Sequence, residues 1–183
     1  MSWLKVLADK TMVNRDVPTM VIISNYELSV NDKGEFCVKS TSKNFCPICD
    51  GPLLVIGSRR RSVTSTDSEK KIYRIRRLRC TLSCRKIHHE LPDLIVPYKR
   101  HSMETLEQID ENKQADVYAE NSTLVKLKEF IKRIKAQYRN ALMGLREKYQ
   151  DLEFLDSPKL KELVRILVNE NLWIHTRSAF CQT

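Results

Sequence analysis

Glycine and proline are scarce in this chain, 4 and 6 among 183 residues, and no apolar run approaches the eighteen or so residues of a membrane span. The first scarcity excludes collagen-like and linker-rich architectures and leaves no glycine-rich loop to cradle a nucleotide phosphate. The second implies a soluble chain with no membrane partner. The opening MSWLKVLADK has too short an apolar run and no small-residue cleavage site, so no secretory signal and a cytoplasmic location are expected. No Ser/His/Asp arrangement and no further metal-spaced histidine pair is present, so the chain is not expected to be an enzyme and no catalytic residue is assigned. A hydrophobic content of 42% is nevertheless that of a folding chain.

What is present begins with cysteine. Cys46 and Cys49 form a C-x2-C pair in CPICDG, and Cys80 and Cys84 form a C-x3-C pair about thirty residues later. In a reducing compartment such pairs are more often metal ligands than disulfides. Four thiolates from two turns suit a tetrahedral, structural Zn2+, with His88 as the alternate ligand. Four thiolates also close the site, so Glu90, the one nearby acid, has no catalytic metal to serve. Cys37 and Cys181 have no partner in register and read as plain thiols, and His89 and His101 as exposed or hydrogen-bonded side chains.

Charge is the second feature. Residues 59–101 carry thirteen Lys/Arg against Asp67, Glu69, Glu90 and Asp93, a surplus equal to the whole chain's net +9. A field so concentrated attracts a polyanion, most often nucleic acid. LLVIGSR and KIYRIRRLRC read as two strands around the polar tip SVTSTDSEK. Alternation then puts Ile72, Arg74 and Arg76 on one face and Tyr73, Ile75 and Arg77 on the other. The basic hairpin would offer Arg59, Arg60, Arg61, Arg74, Arg76, Arg77 and Arg79 to phosphates, with Lys99 and Arg100 beyond it.

Earlier in the chain, MVIISNYELSV and GEFCV flank NDKG and read as a hairpin. LPDLIVPYKRHS, with two prolines, should run extended. Helical patterns follow. Ser102 caps METLEQI, and Asn121 or Ser122 caps a long helix whose stripe is Leu124, Leu127, Ile131, Ile134, Tyr138, Ala141 and Leu145. That stripe reads as the core face of a bundle, with a short coiled coil as the alternative. A last helix starts with Ser157 as cap and Pro158 at its first position.

RLRCTLSCRKIHHELPDLIVPYKRHS resembles the C-x2-C-x3-H-x2-L-P-x4-P-Y-K/R-R-Y/H-S segment of an uncharacterised family of transposase-like, mobile-element proteins. The matching residues are Cys84, His88, Leu91, Pro92, Pro97, Tyr98, Lys99, Arg100 and Ser102. The x3 between Cys80 and Cys84 departs from that pattern. The resemblance spans about residues 40–140 and implies an N-terminal zinc ribbon followed by a DNA-binding helix-turn-helix. ENSTLVKLKEFI is similar to the start of such a recognition helix, with Thr123, Lys126 and Lys128 at its exposed positions.

The expected fold is therefore α+β: a small N-terminal β region with a zinc ribbon, then an all-α helix-turn-helix region. Its expected segments are 1–38, a β-hairpin segment; 39–101, the ribbon; 102–150, the helix-turn-helix-like region; and 151–183, a helix and tail. The expected function is that of a zinc-ribbon DNA-binding protein, either a transcriptional regulator or associated with a mobile element, without its own catalytic domain. Double-stranded DNA is the expected partner. RNA is the alternative, although only Tyr73 and Tyr98 lie among the basic residues to stack on bases. A protein–protein assembly module, with the helical stripe forming a homodimer, is the third reading.

Overall fold

The computed structural model describes residues 19–149 and 157–174. Cys181 and residues 1–18 of the expected N-terminal segment lie outside them. Six strands form one mixed sheet: β1 (Thr19–Ile23), β2 (Tyr26–Val30), β3 (Phe36–Ser40), β4 (Leu53–Thr64), β5 (Lys70–Cys80) and β6 (Ile87–Pro92). The strand order is β1-β6-β5-β3-β2, and β4 pairs β5 on its other edge. Three α-helices are described, α1 (Met103–Asp110), α2 (Asn121–Lys148) and α3 (Leu160–Asn169), with a short 3-10 turn at Gln114–Asp116.

β5 is the hub, and on one of its edges the sheet forks. Its first half pairs in parallel with β3, at Phe36↔Tyr73 and Cys37↔Arg74. Its second half pairs antiparallel with β6, from Arg77↔His89 to Arg79↔Ile87. The run MVIISNYELSV is divided at Ser24–Asn25, because its two halves join different branches of this fork. β2 and β3 make the expected hairpin over NDKG, whereas β1 crosses to lie parallel to β6. β1 is an edge strand buried along all five residues. The carboxamide of Asn169 on α3 satisfies its outer edge, accepting from the Ile22 N–H at 2.8 Å and donating to the Ile22 carbonyl at 3.0 Å.

The β4–β5 hairpin is longer than its apolar runs indicate, and its tip is held down. The Thr64 N–H donates to the Arg100 carbonyl, the Ser102 N–H to the Thr64 carbonyl, and the Tyr118 N–H to the Thr66 carbonyl. Gly57, at a register shift in β4, has φ +149° and open space around it. An L-residue there would be strained, so glycine is what lets the long strand bend.

The expected all-α helix-turn-helix region is not what forms. Ten residues, not a tight turn of three or four, separate α1 from α2. α2 is one 28-residue helix, and its apolar stripe packs inward: Leu127, Ile131, Ile134, Tyr138 and Leu145 are buried in the same core as Ile22, Val38, Tyr73, Ile75 and Leu91 of the sheet. Sheet and helices share that core because the helical stripes are needed to cover the sheet. Phe130 adds an edge-on contact with Trp173, centroids 6.1 Å apart. Ser102 caps α1 as expected, its hydroxyl accepting from the Thr105 N–H. The other two caps differ: Glu120 precedes α2 and Lys159 precedes α3, neither with a side-chain cap bond.

Candidate metal centre and cationic face

The two cysteine pairs meet where β5 ends. In the first turn the Cys46 N–H donates to the Gly51 carbonyl at 2.8 Å and the Asp50 N–H to the Cys46 carbonyl at 2.9 Å. Gly51 is required there, since a Cβ would lie 2.9 Å from both Cys80 Sγ and Leu82 Cβ. Cys80 closes β5, and Cys84 sits in the turn that the Cys80 N–H closes onto the Lys86 carbonyl. The sulfurs are 3.4 Å apart for Cys46–Cys84 and Cys49–Cys80 and 3.5 Å for Cys49–Cys84. All four lie within 4.8 Å of one another. A tetrahedron with metal–sulfur bonds of about 2.3 Å has edges of about 3.8 Å, so this cluster is close to the size of one tetrahedral ion.

The four thiols do not share one electrostatic environment. The Gly51 backbone amide, helped by Cys80, brings the Cys49 thiol down to about 6, so it is a thiolate at neutral pH. Burial pushes Cys46 up to about 12 and also raises Cys80. Burial thus disfavours charge on Cys46 and Cys80 as long as no cation is present, and a dication bound among the sulfurs would stabilise their thiolates. His88, the alternate ligand, is outside the four-sulfur group. Its Nε2 lies 3.3 Å from Cys46 Sγ, and burial holds the ring down to about 4, hence neutral.

Running from this cluster along the same face of β5 are two buried carboxylates that sequence reasoning did not connect to the arginines. Glu90 is fully buried. It takes a two-pronged bond from Arg76, Nε at 2.5 Å and Nη2 at 2.8 Å, and a third from Asn44 Nδ2 at 2.8 Å. Asn44 also donates to Ser40 on the β3 branch, so this knot ties the fork together. Glu35, 2% exposed, takes Arg74 Nε at 3.0 Å, Arg60 Nε at 2.6 Å and Asn31 Nδ2 at 3.1 Å. The Asn31 hydrogen bond, then Arg74 and Arg60, hold the Glu35 carboxyl below its usual range despite its burial. Three of the nine basic residues expected at phosphates, Arg60, Arg74 and Arg76, therefore have carboxylate partners.

The other six are placed differently. Arg77 is the cross-strand neighbour of His89, and Arg59 lies diagonally from it on β4, with Arg61 two positions further along that strand. Burial, then the charges of Arg59, Arg77 and Arg61, lower the His89 pKa. Burial, then Arg59 and Arg100, lower Arg61, whose Nη2 donates to the Lys99 carbonyl at 2.6 Å. Lys99 sits 4.1 Å from the centre of the Phe130 ring and is lowered by burial and by Arg133. Arg79 and Arg100 are exposed. Among the described residues no ion pair to a carboxylate is found for Arg59, Arg61, Arg77, Arg79, Lys99 or Arg100. Lys126 is exposed and Thr123 and Lys128 half-buried at the start of α2, and without a helix-turn-helix they lose the role of recognition-helix positions. No described helix is long and apolar enough to cross a membrane.

Residues 46–127 match a family model described as a domain of unknown function, DUF6431. That stretch includes all four clustered cysteines, Glu90 and the six unpaired cations, and leaves out Glu35 and Asn44. No curated protein and no solved structure matches the chain.

Proposed function

We propose that this protein binds double-stranded DNA through the cationic face of β4, β5 and β6 and the adjoining residues 98–101, and that a structural Zn2+ on Cys46, Cys49, Cys80 and Cys84 holds that face in shape. The observation that carries this reading is the group Arg59, Arg61, Arg77, Lys99 and Arg100. Among the described residues the arginine–carboxylate pairs of this segment go to Arg60, Arg74 and Arg76 and none of these five is ion-paired, while Arg59 and Arg100 add to burial in lowering the Arg61 pKa. A surface that holds like charges together is stabilised by a polyanion, and phosphate contacts of this kind give salt-dependent affinity. Zinc fits the centre because four soft thiolates suit a d10 ion and leave no open position for catalysis.

Duplex rather than single-stranded nucleic acid is favoured by the aromatic residues. Tyr73 is buried and stacked on Phe36, ring centroids 5.3 Å apart, which leaves Tyr98 as the one exposed aromatic in this basic segment. Stacking platforms need more than that. Fluorescence anisotropy of the zinc-loaded protein against labelled random duplex DNA and single-stranded RNA of equal length, at two salt concentrations, tests the reading. Tighter and steeply salt-dependent duplex binding is expected. Preference for the RNA, or binding to neither, would overturn it.

A further inference from the structure

His88 is fully buried and bridges two elements: Nε2 meets Cys46 Sγ at 3.3 Å, and Nδ1 meets the hydroxyl of Thr19, its register partner on β1. Resting on the metal reading above, we propose that His88 is a positioning residue and not a ligand. Its Nε2–H donates to the Cys46 thiolate, and Thr19, donating to Nδ1, fixes that tautomer.

Three observations carry this. A metal-bound Cys46 is a thiolate and can only accept, so the ring nitrogen facing it must donate. A neutral imidazole has one N–H, so Nδ1 is then the acceptor and the Thr19 hydroxyl supplies the proton; its other acceptor, the Ile87 carbonyl, is a distant 3.4 Å away. The four sulfurs lie within 4.8 Å of one another, enough ligands for one tetrahedral ion, and the imidazole lies outside that group. Finally, Cys46 is fully shielded from solvent. A dication with four thiolates leaves a net charge of about −2, and an N–H···S bond takes up part of it where water cannot. Through Thr19, the same contact tethers edge strand β1 to the metal.

Cobalt(II) titration of the full chain tests this, with absorption reporting the ligand set and chelator competition the affinity, for the unaltered protein, His88→Ala, His88→Gln and Thr19→Val. A four-sulfur spectrum is expected throughout. Affinity should fall about 10–100-fold in His88→Ala, the usual cost of losing such a supporting partner, with partial rescue in His88→Gln and a smaller loss in Thr19→Val. A three-sulfur, one-nitrogen spectrum in the unaltered protein would make His88 a ligand and overturn the proposal, as would undiminished affinity in His88→Ala. If His88→Ala does not fold, His88→Gln and Thr19→Val decide through the same two readouts. Failure of the unaltered protein to bind cobalt(II) would instead remove the metal reading, and is distinguished by needing no variant.

Discussion

On one face of β5, Arg74 and Arg76 meet the buried carboxylates of Glu35 and Glu90; on the other, Arg77 meets His89 and lies among further cations. These arginines are one to three residues apart and chemically identical. What separates them is strand parity, together with which neighbouring strand supplies an acid. The first face also carries Cys80 and the register partner of His88, Leu78, so the cysteine cluster and the two buried carboxylates with their arginines form one polar spine. Among the described residues, the arginines of the second face have no carboxylate partner. Counting arginines therefore overstates the surface available to phosphate, and pairing each one to its partner corrects it.

If this division holds, damage to the spine costs stability, and damage to the other face costs binding. The largest stability loss should follow removal of the metal, by chelation or by Cys49→Ser, with the thermal midpoint falling by on the order of 10 °C or more in a melting experiment. Glu90→Ala comes next. It strands the half-covered Arg76 guanidinium, and breaking a buried pair in this way costs about 3–5 kcal/mol in denaturant unfolding. Arg79→Ala, one strand position past Leu78 on the exposed side, should stay within about 0.5 kcal/mol. Equal losses from Glu90→Ala and Arg79→Ala would break the comparison.

A gentler probe is acid. The Glu35 carboxyl is held below its ordinary value by Asn31, Arg74 and Arg60, so its contribution is fully present above the unfolded-state value and is lost as pH falls through the folded one. Glu35→Gln should therefore flatten the acid limb of a stability–pH profile while leaving the neutral limb parallel to that of the unaltered protein. An unchanged acid limb would mean that this pair is not a stabilising contact.

Local features of this molecule were legible in the sequence and long-range ones were not. The β2–β3 turn at NDKG, the Ser102 cap and each cysteine pair are set by residues a few positions apart, and the meeting of the two pairs across some thirty residues was legible only because four thiols at that spacing share one chemistry. The Arg74–Glu35 pair spans 39 residues, and no periodicity tells which strand will lie beside β5. Glu90 was visible as an acid beside the histidines, but only the β5–β6 pairing brings it to Arg76. The helix-turn-helix expectation failed for a related reason. A 3.6-residue stripe shows that Leu127, Ile131 and Ile134 need a cover, and does not show that the cover is a β-sheet.

The central claim is that Arg59 and Arg77, not the paired arginines of the spine, face phosphate. Its most direct test is the salt dependence of duplex DNA binding by the Arg59→Ala/Arg77→Ala protein. With each phosphate contact contributing about 0.9 to the slope of log affinity against log salt, the slope should fall by about 1.8 while the melting temperature holds. An unchanged slope with a lowered melting temperature would contradict the account.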